Sequence, residues 1–130
     1  MKPRRVDLRN ARTARDVIDA IVGTRREEVT ALSSALETRD MQALHDFRIA
    51  CKRLRYAMER FCKRVPELAE PAARLAEIQD ALGDAHDRDV LLSILPPTMP
   101  ETERRLNNER EELVQRAVEI WTSLTSNDWS

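Results

Sequence analysis

The chain has few glycine and aromatic residues and no long apolar run, and this composition favours helices over other folds. Its 130 residues include only 2 glycines and 4% aromatic residues, and no apolar run approaches the roughly 20 residues of a membrane-spanning helix. The basic N-terminus leads into no apolar stretch of signal-peptide length. Alanine, leucine, glutamate and arginine, all strong helix formers, dominate instead. We therefore expect one all-α domain in the cytoplasm, without a membrane segment.

Cysteine is also scarce, and the two cysteines cannot pair with each other. Cys51 and Cys62 fall eleven residues apart on one predicted helix, which separates their Cα atoms by about 16 Å at 1.5 Å per residue. Both fall on the apolar side of that helix. We expect reduced core side chains, as is usual in a reducing compartment.

The formal net charge of -1 conceals a strong segregation of charge along the chain. Residues 1–16 carry six Lys/Arg against two Asp/Glu, and residues 41–65 carry seven against two. The balancing acid lies in residues 66–95, with seven Asp/Glu against two Arg, and in the last predicted helix. Local field rather than total charge decides which ligands are attracted, so a polyanion is a candidate partner.

Four amphipathic helices are predicted, and short connections between them favour a four-helix bundle. Thr13 and Asp16 have the spacing of a capping box, and Asp40 is placed to cap the second helix. Gly83 marks a point where the third helix can kink. We expect a basic arm over residues 1–12 and one helical domain over residues 13–127, with helices at roughly 14–38, 41–65, 71–95 and from 101 onwards.

The second predicted helix carries a row of cations beside its apolar stripe. At about 100° per residue, an arc of roughly 80° collects these side chains, named here the basic ladder: His45, Arg48, Lys52, Arg55 and Lys63. The apolar residues occupy an adjoining arc of roughly 140°. Glu59 alone interrupts the ladder. An extended polyanion is the partner that this geometry favours.

Two motifs in this part of the chain resemble a known family. They are His45-x-x-Arg48-Ile49-x-x-Lys52-Arg53-Leu54-Arg55-Tyr56 and Leu82-Gly83-x-x-x-Asp87-x-x-Val90-Leu91. Together they resemble the CHAD domain, the conserved histidine α-helical domain, whose members usually contain two similar four-helix halves. The resemblance implies a helical fold and binding of inorganic polyphosphate. Since only one copy of each motif is present, we expect half of such a domain and a homodimer that restores the double arrangement.

The resemblance turns the basic ladder into a candidate polyphosphate site. Arg48 and Arg55 can bind phosphate oxygens through forked guanidinium groups, and Lys52 adds a point charge. His45 can donate a hydrogen bond, and bound phosphate favours its protonated form. We add three further candidate ligands at the margins of the ladder: Arg53, Tyr56 and Lys63.

The acidic stretch around Gly83 offers a different use for these arginines. Asp84, Asp87 and Asp89 can pair with them across the bundle. A carboxylate that orients an arginine leaves its other donors free, so we interpret Asp87 and Asp89 as supports of the ladder rather than as ligands.

Other functions are weighed against this one. His45, His86 and the aspartates invite a metal site, but no tight pair such as Glu-x-x-His is present, and we expect neither a metal nor another cofactor. Nucleic acid competes for the same face, although only Tyr56 is available for base stacking. A protein–protein adaptor using the acidic helix is a further alternative. No phosphate-binding glycine loop or nucleophile motif is present, so we expect a binding module rather than an enzyme.

Overall fold

The computed structural model describes residues 2–126 and Trp129, and within these it contains helices and no strand. Met1 of the predicted arm and Asn127, the predicted end of the domain, lie outside the described residues. The all-α prediction is confirmed. The elements are α1 (Ala14–Ala31), α2 (Ala35–Thr38), α3 (Met41–Phe61), a 3₁₀ turn (Pro66–Leu68), α4 (Ala69–Ile94) and α5 (Pro100–Ser126).

The predicted caps fix the starts of two helices. The Thr13 hydroxyl accepts a hydrogen bond from the backbone N–H of Asp16, whose carboxylate accepts one from the N–H of Thr13. The carboxylate of Asp40 accepts from the N–H of Ala43 at the start of α3. These side chains satisfy backbone donors that the first helical turn leaves without a partner.

Three helix boundaries differ from the prediction. The first predicted helix is divided, because α1 ends at Ala31 and the chain turns before the four residues of α2. α3 ends at Phe61 rather than at Val65, and Val65 leaves the helical region at φ -128°, as residues before proline commonly do. α4 begins at Ala69 and continues through Gly83 without a break.

The core lies between α3 and α4, which are flanked by α1 and α5. α3 packs against α1 and α4, and α4 packs against α5. Large side chains from the two central helices are fully buried: Phe47, Leu54, Met58, Leu75 and Ile78. Burying a side chain of this size stabilises the fold by about 1.5–3 kcal/mol, so these two helices form the rigid centre on which any surface site is built.

The N-terminal arm is held against α1. The backbone N–H of Arg4 donates to Glu28 at 2.8 Å, and Arg25 donates both to the carbonyl of Arg4 and to Glu28. Glu28 is only 4% exposed, and these donors compensate for burying its charge. The arm therefore has a structural attachment to the helix that follows it.

Candidate functional site

The first half of the basic ladder faces α4 rather than open solvent. The ring centroids of His45 and His86 are 5.9 Å apart, and Nε of Arg48 donates to the carbonyl oxygen of Gln79 at 3.3 Å. As the position along α3 advances from 45 to 48, the partner position on α4 falls from 86 to 79. The two helices are thus antiparallel, and this part of the ladder follows the groove between them.

Arg48 depends on the absence of a side chain at Gly83. A Cβ built on Gly83 would lie 3.1 Å from Nη2 of Arg48 and 3.4 Å from its Cζ. Close approach to backbone is a recurrent reason for glycine in a helix, where it otherwise costs roughly 0.5–1 kcal/mol relative to alanine. Gly83 thus provides the surface on which the guanidinium rests.

The guanidinium of Arg48 is not neutralised. Within residues 2–126 and 129 it makes no ion pair, and its one hydrogen bond uses Nε. Arginine has five N–H donors in a planar fork, so both terminal nitrogens remain for a ligand. The side chain is half-buried, which limits the number of orientations it adopts.

Tyr56 lies between the next two cations of the ladder. Its ring centroid is 4.9 Å from Cζ of Arg55 and 5.6 Å from Nζ of Lys52. The tyrosine is 51% exposed, whereas only 21% of the Arg55 side chain is exposed, so the contact with Arg55 is partly shielded from solvent. Cation–π contacts of this kind are worth about 0.5–1 kcal/mol each at exposed sites, and here they hold two positive groups on one side of α3.

Glu59 provides the one carboxylate contact to these cations within the described residues. Its Oε1 is 3.9 Å from Nε of Arg55, with 52% of the glutamate side chain exposed. A surface pair at that distance contributes between nothing and about 1 kcal/mol. Lys52 is exposed and, within residues 2–126 and 129, forms no ion pair. The positive field of the ladder is therefore only weakly compensated.

Lys63 does not continue the row as predicted. Because α3 ends at Phe61, Lys63 lies in the following turn, where with Arg60 and Arg64 it lines a depression next to α1. Arg53 is half-buried and lies away from the ladder arc. The structure therefore groups His45 with Arg48, and Tyr56 with Lys52 and Arg55, whereas Lys63 lies in the turn after α3.

The aspartates predicted to support the ladder are used differently. Oδ1 of Asp89 accepts from Nε of Arg110 at 2.6 Å, and both side chains are 13% exposed. Asp87 is exposed and forms no ion pair within the part of the chain that the structure describes. The correction has a physical cause: Asp89 lies on the side of α4 that packs against α5, where Arg110 reaches it before any arginine of α3.

Arg110 was not identified from the sequence. Besides Asp89, it donates to the carbonyl oxygen of Arg39 at 2.8 Å and to Glu111 at 3.1 Å. Arg39 has a left-handed backbone with φ 56° and donates to Glu111 and Gln115 of α5. These contacts join the end of α2 to α4 and α5. No local sequence pattern reports them, because the partners lie far apart in the chain.

The structure also bears on two alternative ligands, metal ions and single-stranded nucleic acid. No three His, Cys, Asp or Glu side chains among the described residues form a cluster able to hold a metal ion. Tyr56 is the one exposed aromatic residue in residues 2–126 and 129, since Trp121 packs edge-on against Phe47 and Trp129 donates to Thr30. A platform of stacking aromatics for single-stranded nucleic acid is thus not formed.

The helical fold agrees with a comparison of the sequence with protein families. The family model described as the CHAD domain matches residues 2–96 of the 130-residue chain. The chain therefore belongs to the CHAD domain family, a helical family linked to polyphosphate binding and not known as a catalytic fold. The match ends between α4 and α5.

Two further comparisons and the hydropathy of the helices add less. Neither the curated proteins nor the solved structures yield a match to this chain. Among the described residues, none of the helices has the length and apolar character needed to cross a membrane.

Proposed function

We propose that this protein is a non-catalytic module that binds inorganic polyphosphate through the α3 side of the α3/α4 groove. The observation that carries the proposal is the row formed by Arg48, Lys52 and Arg55. Within the described residues its one carboxylate contact is the 3.9 Å approach of Glu59 to Arg55. Family membership supports the same ligand class.

The spacing of the row suits a chain of phosphates. Residues three or four apart on a helix are separated by about 4.5–6 Å along the axis, so each turn offers one cation to an extended strand. Arg48 and Arg55 bind phosphate oxygens through paired N–H groups, and Lys52 supplies a compact charge between them. The ligand is recognised by repeated charge and does not need an enclosed pocket.

A row of this kind binds but does not catalyse. Arginines and lysines fixed along a helix hold substrate and product phosphates equally well, and equal binding of ground state and transition state does not raise a reaction rate. The row contains no nucleophile beside a base. His45, at one end, serves in the proposal as a ligand rather than as a general base.

We also propose a homodimer. A set of large apolar side chains, which we call the apolar end, is exposed at the start of α3, at the end of α4 and in the loop between α4 and α5. These residues are Met41, Val90, Leu91, Ile94 and Met99. Ile94 is 72% exposed. Val90, Leu91 and Ile94 lie within an arc of about 100° on α4. An exposed apolar face commonly marks an interface, and a second copy would supply the other half of the double arrangement found in the family.

Two unpaired cysteines, Cys51 and Cys62, support a reducing, cytoplasmic setting.

The proposed function is tested by titrating the protein with long-chain polyphosphate at several salt concentrations. Binding through ion release weakens steeply as salt rises, so we expect at least tenfold loss of affinity between about 50 and 200 mM salt. Single-stranded RNA with the same number of phosphates is the matched competitor, and we expect it to bind less tightly. Tighter binding of RNA, or no polyphosphate binding at low salt, would overturn the proposal.

A further inference from the structure

The two histidines of the chain lie side by side at one end of the groove. They are the only histidines among the 130 residues. Although 41 positions apart, they bring their ring centroids within 5.9 Å, with the rings tilted by 35°. The antiparallel packing of α3 and α4 creates this pair, and the next residue along the ladder, Arg48, lines the same depression.

The surroundings of the pair are mostly apolar. Leu44, Leu82 and Ala85 form the floor of the depression and are all buried. Met41 lies at its outer edge and is 53% exposed. Both imidazole rings are half-buried. An apolar floor strengthens the interaction of any charge placed above it, because less water screens that charge.

Few charges of opposite sign face the pair. From α3, Arg48 contributes a cation, and the neighbouring Asp46 accepts a hydrogen bond from Gln42 at 3.1 Å. From α4, Asp89 reaches the depression, but its carboxylate is already held by Arg110 of α5 at 2.6 Å. With both imidazoles protonated, the depression would hold three positive groups, the two histidines and Arg48. The charge of Asp89 would be balanced by Arg110.

We propose that His45, His86 and Arg48 form a phosphoryl-binding subsite that takes up protons when it binds a phosphate group. The proposal rests on the proposed function of the groove and assigns His86 to it as a ligand. Phosphate oxygens accept hydrogen bonds from both imidazolium rings and from the terminal nitrogens of Arg48. The bound anion stabilises the imidazolium forms, so protons are taken up on binding, and affinity therefore rises as the pH falls.

The size of the effect follows from proton linkage. Each proton fully taken up on binding changes the affinity about tenfold per pH unit, and partial uptake changes it less. Between pH 8 and pH 6 we expect affinity for long-chain polyphosphate to rise roughly tenfold. Inner phosphates of a long chain keep one negative charge each throughout this range, so the titration of the ligand contributes little.

The experiment compares the natural chain with His86→Gln and with the double variant His45→Gln, His86→Gln at fixed ionic strength, with a chelator present throughout. We expect the gain at low pH to shrink in the single variant and to disappear in the double variant, whatever affinity each variant keeps at pH 8. The Lys52→Gln variant is the matched control, and it should lose affinity equally at both pH values. An unchanged ratio of affinities in the double variant would overturn the inference.

An NMR titration of the natural chain provides a second test, which does not depend on whether the variants fold. The histidine ring signals of the natural chain are followed by NMR as the pH is changed, with and without polyphosphate. We expect both rings to remain protonated to a higher pH when the ligand is present, and identical curves would overturn the inference. If the natural chain binds polyphosphate at neither pH, the proposed function itself fails, and the two failures are thereby distinguished.

Discussion

The guanidinium of Arg48 rests on the backbone of Gly83. A Cβ at position 83 would stand 3.1 Å from Nη2, closer than side chains normally pack. An arginine from one helix and a glycine from the next thus form a single unit, in which the missing side chain on α4 determines where the cation on α3 lies.

Replacing this glycine separates stability from binding. Gly83→Ala adds helix propensity worth up to about 1 kcal/mol, while its methyl group pushes the flexible guanidinium outward. We expect unchanged or raised stability to urea and a roughly fivefold loss of polyphosphate affinity, as expected for about 1 kcal/mol of a charge-assisted contact. Isothermal titration and urea unfolding measure the two effects.

The matched control for Gly83→Ala is Gly23→Ala. A Cβ at Gly23, in α1, meets nothing within 4 Å, so this change provides the helix propensity alone. We expect it to stabilise the chain without affecting polyphosphate binding. Equal affinities for the two variants would contradict the role given to the contact between Arg48 and Gly83.

Arg110 contributes to stability and reaches the proposed site only through Asp89. It holds Asp89 at 2.6 Å and the carbonyl of Arg39 at 2.8 Å with only 13% of its side chain exposed. Arg110→Gln leaves a largely buried carboxylate without its cation, and we expect a loss of about 2 kcal/mol in unfolding free energy. Because Asp89 also lines the depression beside His45 and His86, its freed carboxylate should repel a bound phosphate, and we expect some loss of polyphosphate affinity as well. An unchanged free energy of unfolding would contradict the structural role of Arg110.

Asp16 makes α1 sensitive to acid. Hydrogen bonds from the backbone N–H groups of Arg12 and Thr13 hold the pKa of Asp16 below its ordinary value. A carboxylate with a lowered pKa in the folded state stabilises the fold above its unfolded pKa, and this contribution is lost as the pH falls through the lowered value. We expect Asp16→Asn to be less stable than the natural chain at pH 7, with a smaller difference at pH 3. A difference independent of pH in urea unfolding would contradict this.

The apolar end predicts how the chain assembles. Light scattering at micromolar concentration should give twice the 15.0 kDa mass of one chain. Ile94→Glu places a charge in the most exposed part of the proposed interface and should yield monomers, since burying an unpaired charge is costly. Thr122→Glu, at an exposed position of α5, is the control and should remain dimeric. A monomeric natural chain would refute the dimer.

Local signals in the sequence predicted the fold well. The caps at Thr13 and Asp40 and the apolar stripe of α3 depend on residues close together in the chain, and the structure confirms them. The division of the first predicted helix at Ala31 was not predicted, because the sequence there contains no proline or glycine. The early end of α3 at Phe61, which places Lys63 in a turn, was not predicted either, because Pro66 is the nearest stop signal in the sequence.

The contacts between helices were harder to predict. Asp89 was assigned to the ladder, whereas the packing of α5 brings Arg110 to it. Gly83 was interpreted as a point where the helix can kink, and His86 was considered only in the metal alternative, which was not expected. Their true neighbours, Arg48 and His45, follow from the antiparallel register of α3 and α4. Periodicity determines which face of a helix is buried but not which residue of another helix lies opposite.

The most direct test of the central claim compares two triple variants with the same change in charge. The first variant replaces the row of cations on α3, with Gln at Arg48, Lys52 and Arg55. The second replaces exposed arginines of α5, with Gln at Arg104, Arg105 and Arg116. Both are titrated with long-chain polyphosphate at low salt. We expect the first to lose more than about 30-fold in affinity with its helical circular dichroism intact, and the second to lose less than about threefold. Equal losses in the two variants would contradict a binding site on α3.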